Sequence, residues 1–116
     1  MKHSIGISLT AAVETTVLTV PLGYVAEVSY LYIYNNTATS KTITAYWQHE
    51  HDAGHQIHLL SGVTLTTKTI ILYDTISVVL NQGDSLVVEP EAGADMSIII
   101  TFDLRKEIFP LTFVGE

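Results

Sequence analysis

Residues 49 to 58 are the stretch of this sequence densest in side chains capable of chemistry, with four of the chain's five histidines. His49 and His51 have the two-residue spacing that places both imidazoles on one face of a strand. The Asp-Ala-Gly turn that follows is predicted to bring His55 or His58 back beside them. Imidazoles with a nearby carboxylate suit Zn²⁺, Ni²⁺, Cu²⁺ or Fe²⁺. The pattern leaves open a polar hairpin tip or pH-sensitive subunit contact, a metal site in one chain, and a metal site shared across a symmetry axis. We favour the first interpretation and expect no cofactor.

No other motif in the sequence predicts catalysis. The sequence has no Gly-x-Ser-x-Gly nucleophile elbow, no His-Glu-x-x-His zinc motif, no phosphate-binding glycine loop and no calcium loop. Cysteine is absent, which excludes disulfides, thiolate ligands and a thiol nucleophile. Acidic residues beside predicted turns, among them Asp84 and Asp95, are expected to serve solubility. We therefore predict a protein without enzymatic activity.

Size and charge narrow the choice of partners. A chain of 116 residues fits one domain, and 12 acidic against 5 basic side chains give a net charge of -7. That charge disfavours nucleic acid and anionic membranes as partners, because both repel it. No apolar run approaches the roughly 20 residues that a membrane-spanning helix needs. We expect neither nucleic acid nor a membrane as partner.

Residue bias predicts the fold class. The chain has 15 Thr, 12 Ile and 11 Val, which together make a third of it and favour pleated strands over helices. Turn signals at short intervals divide it into candidate strands over 4–10, 15–20, 24–34, 41–51, 55–60, 63–72, 85–89 and 96–104. The stretch 73–80 could be a helical turn or another strand. We predict an all-β, antiparallel β-sandwich or jelly roll of about eight strands, with one domain over 1–107 and an apolar extension over 108–116.

Alternation predicts which side chains share a face. Strict alternation along 24–34 groups Ala26 and Val28 with Tyr30, Tyr32 and Tyr34 on one face, opposite Leu31 and Ile33. Along 96–104 it groups Ile98, Ile100, Phe102 and Leu104. Trp47 is expected to pack in the core beside Ile43 and Ala45.

The scarcity of charge predicts a subunit of an assembly. Only 15% of residues are charged, against about 25% in a typical soluble domain. Part of the surface is therefore expected to be covered by neighbouring copies in a homo-oligomer. Two candidate interfaces follow. One is the stripe of Tyr30, Tyr32 and Tyr34, and the other is the apolar extension with Ile108, Phe109, Leu111 and Phe113. The alternatives are an ordinary sheet face and an extension that packs on its own domain.

The sequence resembles the small β-sandwich virion proteins of tailed bacteriophages. The likeness covers residues 15–104. It lies in the Pro-x-Gly turn at 21–23, the strand that closes on the Asn-rich turn at 35–37, the Thr-alternating strand from 41, the Gly-Asp hairpin at 83–84 and the terminal strand at 96–102. It implies a location in the virion and other virion proteins as partners. The implied role is capsid decoration or cement, with a neck, tail or fibre component as the nearest alternative. A further alternative is a small metal- or glycan-binding sandwich that uses the hairpin from His49 to His58.

Overall fold

A computed structural model describes residues 2–49, 54, 56–74 and 78–106 of the chain. Within these ranges the chain forms strands and no helix, so no helix there is long and apolar enough to cross a membrane. The strands are β1 (Lys2–Leu9), β2 (Thr15–Thr19), β3 (Tyr24–Asn35), β4 (Lys41–Gln48), β5 (Gln56–Leu65), β6 (Ile70–Tyr73), β7 (Val78–Leu80), β8 (Ser85–Pro90) and β9 (Met96–Lys106).

The strands form two antiparallel sheets. The first sheet has the order β1-β9-β3-β6, with β7 also paired to β3, and the second has the order β2-β8-β4-β5. Because β6 and β7 pair with successive parts of β3, they act as one interrupted edge strand. When β6 and β7 are counted as one strand, successive strands lie in alternate sheets everywhere except at the β4–β5 hairpin. This connectivity is that of a jelly roll. The predicted all-β antiparallel sandwich is confirmed.

The core lies between the two sheets and is built from alternate residues of their strands. From β9 it takes Ile98, Ile100 and Phe102, all at most 4% exposed, and it faces Ile43 and Ala45 of β4. The predicted inward faces of these two strands are therefore confirmed. Trp47 is partly buried against the same core.

Strand β3 departs from the predicted alternation. Its register against β9 shifts between Val28 and Tyr30, so Ser29 is the extra residue of a β-bulge. Ala26 and Val28 face the core before the bulge, whereas Leu31 and Ile33 face it afterwards. Grouping the tyrosines with Ala26 and Val28 was wrong, because strict alternation holds only in a strand without bulges.

Strand β5 is longer than predicted and irregular. The turn expected at residues 61–62 is a bulge inside the strand, where Gly62 has a φ of 59° and its amide donates to Oγ1 of Thr44. A second register shift leaves Leu59 without a partner on β4. The strand predicted over 63–72 is divided by a turn, since 63–65 belong to β5 and β6 begins at Ile70.

The connection from β3 to β4 is held by a single buried amide. Nδ2 of Asn35 donates to the carbonyl oxygens of Thr39, Leu65 and Thr66 at 3.0 to 3.2 Å, and Oδ1 accepts from the Thr37 amide at 2.9 Å. Asn35 is fully buried. One side chain thus joins the ends of three strands and satisfies backbone groups that the turns leave unpaired.

Candidate interaction surface

The outer face of the first sheet carries a continuous apolar patch. After the bulge in β3, Tyr30, Tyr32 and Tyr34 all point away from the core. Neighbouring strands add exposed aliphatic side chains to the same face. We call this patch the tyrosine face and define it as Tyr30, Tyr32, Tyr34, Ile70, Leu72 and Ile99.

Cross-strand pairing places the apolar side chains of this face side by side. Tyr32 pairs with Ile99 on β9 and with Leu72 on β6, so these three side chains form one row across the sheet. Beyond Ile99 the row ends at Gly6 of the edge strand β1. A Cβ atom at Gly6 would lie 3.6 Å from Cγ1 of Ile99, an ordinary van der Waals distance, so the patch flattens there without crowding.

The aliphatic members of the face are open to solvent. Ile70 is 52% exposed, Leu72 46% and Ile99 40%, and Tyr30 is also 40% exposed. Large apolar side chains in a row of this kind are usually covered by another part of the protein. Here the sheet places nothing over them within the described residues.

Charged and polar side chains border the patch at both ends. At one end Glu27 of β3 lies opposite Asp103 of β9 in the sheet, and Asp103 lies opposite Lys2 of β1. At the other end Nζ of Lys68 lies 2.8 Å from Oδ1 of Asn36, whose Nδ2 donates to Asp95 at 2.9 Å. An apolar centre within a polar rim is the usual anatomy of a protein–protein interface.

The outer face of the second sheet is polar by contrast. It presents Thr16, Thr42, Thr44, Gln48, His58 and Glu89. Tyr46 and Val87, whose side chains also point to that face, are both buried. Burial raises the pKa of Tyr46 to about 12, and the nearby Glu14 carboxylate adds to the rise because it disfavours a second negative charge. The two outer faces of the sandwich therefore differ sharply in chemistry.

The described histidines of the hairpin do not converge. His49 tilts against the indole of Trp47 at a ring distance of 5.6 Å, on the core side of β4. His58 stacks on Tyr46, also at 5.6 Å, on the opposite face of the second sheet. Residues 51 and 55 lie outside the described residues. Among those described, no three His, Asp or Glu side chains group as metal ligands would, and the metal site stays a prediction.

Asp84 was expected to serve solubility, and this prediction is wrong. The residue is fully buried at the turn before β8. Its carboxylate accepts hydrogen bonds from Nε1 of Trp47 at 3.2 Å and from the Asn81 amide at 3.0 Å, and it lies 3.1 Å from Nδ1 of His49. The Asn-Gln-Gly-Asp order, in which a side chain caps its own turn, was the available signal. Asp84 fixes the end of β4 to this turn.

The other predicted interface falls outside the described residues. Ile108, Phe109, Leu111 and Phe113 all follow Lys106, where β9 ends. Their role as an interface, and the boundary predicted at 107, stay predictions.

Comparison with known proteins finds a similar fold and no family. No protein-family model matches the chain, and no curated protein matches it. A solved structure from work on Bacillus endospore appendages, described as a novel family of disulfide-linked pili, is similar to it with a TM-score of 0.55. The match covers 93% of this chain and 88% of that one at 13% identity, so the likeness is one of fold.

Proposed function

We propose that this chain is a non-enzymatic structural subunit that assembles with copies of itself, and that the tyrosine face is a contact between copies. The observation that supports the proposal most directly is the row of Tyr32, Ile99 and Leu72, in which the two aliphatic side chains are exposed and the tyrosine is half-buried. Aliphatic side chains aligned in water do not stabilise a monomer, whereas a contact between copies would bury them together with the tyrosine rings.

The size of the patch fits one contact in a repeated assembly. The tyrosine face offers on the order of 400 Å² of exposed side-chain surface, and apolar patches of this size are often functional. Covering it on two copies would bury on the order of 800 Å², which is the area of a weak contact. Weak contacts hold an assembly together when symmetry repeats them.

The likeness to an appendage pilus protein agrees with a polymeric role. That protein belongs to disulfide-linked pili, whereas this chain has no cysteine. Copies of this chain must therefore be held together by non-covalent contacts, for which an apolar face is suited.

A virion role is the finer alternative. The pattern resemblance over residues 15–104 favours a decoration or cement protein on a phage capsid, or a neck, tail or fibre component. In that case the same face would bind capsid or tail subunits. The jelly-roll fold is compatible with both roles, since fold alone does not determine function.

The proposal is tested by the mass of the purified protein. Light scattering coupled to size exclusion is expected to give a multiple of 12.7 kDa for the wild type and a smaller mass for Ile99→Lys. Thr16→Lys is the matched control, because it adds the same charge to an exposed β-branched residue on the polar outer face. A wild type that is monomeric at high concentration would overturn the proposal.

Electron microscopy separates the two roles. Filaments or rings formed by the purified protein alone favour a self-assembling appendage. Binding to empty phage capsids or tails, abolished by Ile99→Lys and kept by Thr16→Lys, favours the virion role.

A further inference from the structure

An apolar cleft opens at the edge where the two sheets come apart. It has a volume of about 250 Å³ and is lined by Leu31 of β3, Leu59 and Leu60 of β5, Tyr73 of β6 and Val78 of β7. The tyrosine contributes its ring to an otherwise aliphatic lining. Among the described residues, no charged side chain lines the cleft.

Three irregularities of the strands border this cleft. The edge strand of the first sheet is interrupted between Tyr73 and Val78, next to the bulge at Ser29 of β3. Across from the gap, β5 has its unpaired residue at Leu59, which is 38% exposed. Bulges at a sheet edge commonly re-aim side chains near functional sites. Here the irregularities lie beside an apolar depression between the two sheets.

The cleft has the size and chemistry to hold an aromatic side chain. An apolar cavity of about 150 Å³ lined by aliphatic and aromatic side chains accepts benzene. At about 250 Å³ this cleft is larger and open, so it has room for a phenyl ring together with part of a neighbouring aliphatic chain. Its described lining has no polar side-chain group besides the Tyr73 hydroxyl, which does not favour a charged or sugar ligand.

We infer that the cleft receives Phe109 from the segment 108–114 of a second copy of this chain. The segment Ile-Phe-Pro-Leu-Thr-Phe-Val carries no charge and follows β9 directly after Glu107. Short apolar segments of this kind bind by placing one or two anchors in a preformed groove. The inference rests on the proposed function, because it names the partner and a second contact of the same assembly.

Distance along the strands favours a second copy over the chain's own Phe109 as the donor. The cleft extends from Val78, which lies at the level of Phe102 of β9, to Leu31, which pairs with Ile100. Lys106 lies four to six residues beyond this level, which is about 13–20 Å of strand. Phe109 follows Lys106 by three residues, which reach about 10 Å at most and would have to turn back along the strand. A segment from a second copy does not have this limit.

The contact is directional. One copy donates its segment and the next accepts it, so the two surfaces involved are different and the contact is heterologous. Heterologous contacts build rings when the rotation closes and open filaments when it does not. The tyrosine face would then join copies laterally, independently of the segment.

Cysteine cross-linking tests the inference. Because the chain has no cysteine of its own, only the introduced cysteines can form a disulfide. Full-length Leu59→Cys is mixed with size-tagged full-length Ile108→Cys or Pro110→Cys, which flank Phe109 and leave it intact. Under mild oxidation at least one of the two mixtures is expected to give a disulfide-linked mixed dimer at least tenfold above the control. The control replaces Leu59→Cys by Leu22→Cys, an 84% exposed leucine in the turn before β3. Adding Phe109→Ser to the donor is expected to reduce the mixed dimer to the control level.

Three results would overturn the inference. These are mixed dimers no more abundant than with Leu22→Cys, cross-linking that Phe109→Ser leaves unchanged, and a Leu59→Cys/Ile108→Cys double variant that closes its disulfide only within one chain. Each can occur while the wild type still assembles and Ile99→Lys still lowers the mass of the assembly. Failure of the cleft contact and failure of the proposed function are therefore distinguishable.

Discussion

Nε1 of Trp47 donates a hydrogen bond of 3.2 Å to the carboxylate of Asp84, which is fully buried. The same side chain accepts from the Asn81 amide, so one buried carboxyl group joins the end of β4 to the turn before β8. A polar group is buried at little cost only where hydrogen-bond partners replace its hydration.

Removal of this carboxylate is expected to destabilise the fold. Asp84→Ala leaves the indole N–H and the Asn81 amide without their acceptor, and should cost about 2–4 kcal/mol in the free energy of unfolding. Urea denaturation measures the change. Asp95→Ala, which removes an exposed carboxylate bonded to Asn36, is the control and should cost less than about 1 kcal/mol. Equal losses for the two variants would contradict this role for Asp84.

Replacement of the buried amide at Asn35 tests the turn between β3 and β4. Asn35→Ala removes the donor shared by the carbonyls of Thr39, Leu65 and Thr66, and should lower the free energy of unfolding by about 2–4 kcal/mol. The adjacent Asn36→Ala, at an exposed site, should lower it by about 1 kcal/mol or less. Thermal unfolding of both variants against the wild type gives the comparison. The prediction fails if Asn36 proves the more costly position.

The raised pKa of Tyr46 predicts a loss of stability in alkali. The pKa of this phenol is about 12 in the folded chain, whereas its pKa in the unfolded chain is near 10. Above pH 10 the unfolded state therefore binds fewer protons than the folded state, and stability falls as the pH rises from 10 to 12. Below pH 10 this contribution is fully present.

Tyr46→Phe isolates this contribution. At pH 7 the variant should differ from the wild type by less than about 1 kcal/mol, because the hydroxyl has no well-aligned hydrogen-bond partner among the described residues. Between pH 10 and 12 it should lose about 2 kcal/mol less stability than the wild type. Denaturant titrations at several pH values measure both differences. Parallel pH profiles for the two proteins would show that Tyr46 titrates normally.

Substitution by alanine is expected to have opposite effects on the stability of the fold at two glycines. At Gly6 a Cβ meets only Ile99 at 3.6 Å, so Gly6→Ala should stabilise β1 by about 0.4–1 kcal/mol through the unfolded state. At Gly23, where φ is 86° and nothing lies within 4 Å of a Cβ, Gly23→Ala should destabilise by about 1 kcal/mol through backbone strain alone. Melting temperatures of the two variants should move in opposite directions. A common direction would mean that backbone conformation does not decide the outcome.

The lack of charge inside the tyrosine face predicts how its association responds to salt. Contacts between Ile99, Leu72 and Tyr32 should persist in 1 M NaCl and strengthen in ammonium sulfate, since screening acts on charges and excluded salts favour apolar burial. Light scattering across both series measures the assembly mass. Dissociation in NaCl would indicate that the charged rim, rather than the apolar centre, holds the copies together.

The fold class and the inward faces of regular strands could be predicted from residue types alone. In β9 the alternation of Ile98 and Ile100 with Ser97 and Ile99 matches the structure, because the strand pairs on both sides and has no bulge in its own backbone. Strand β3 could not be predicted in the same way. The bulge at Ser29 satisfies the pairing of three neighbouring strands at once, and no local pattern encodes that requirement.

The candidate surface was predictable in part. The spacing of Tyr30, Tyr32 and Tyr34 places them on one face whichever way the strand points, so their grouping survives the error in register. Ile99 and Leu72 could not be joined to them, since that requires the order of strands in the sheet. The burial of Asp84 and Asn35 could not be predicted for a related reason, because a polar residue at a turn is buried only by elements distant in sequence.

The bulge in β3 also determines how the strand responds to changes in length. Without Ser29, β3 would pair with β9 residue for residue, with Ala26, Val28, Leu31 and Ile33 all still directed inward. Loss of a residue within the regular stretch after the bulge would instead exchange aliphatic and aromatic side chains across the sheet. Ser29 is thus the position in this strand where a one-residue deletion is compatible with the core, and a chain shortened there would retain its interior.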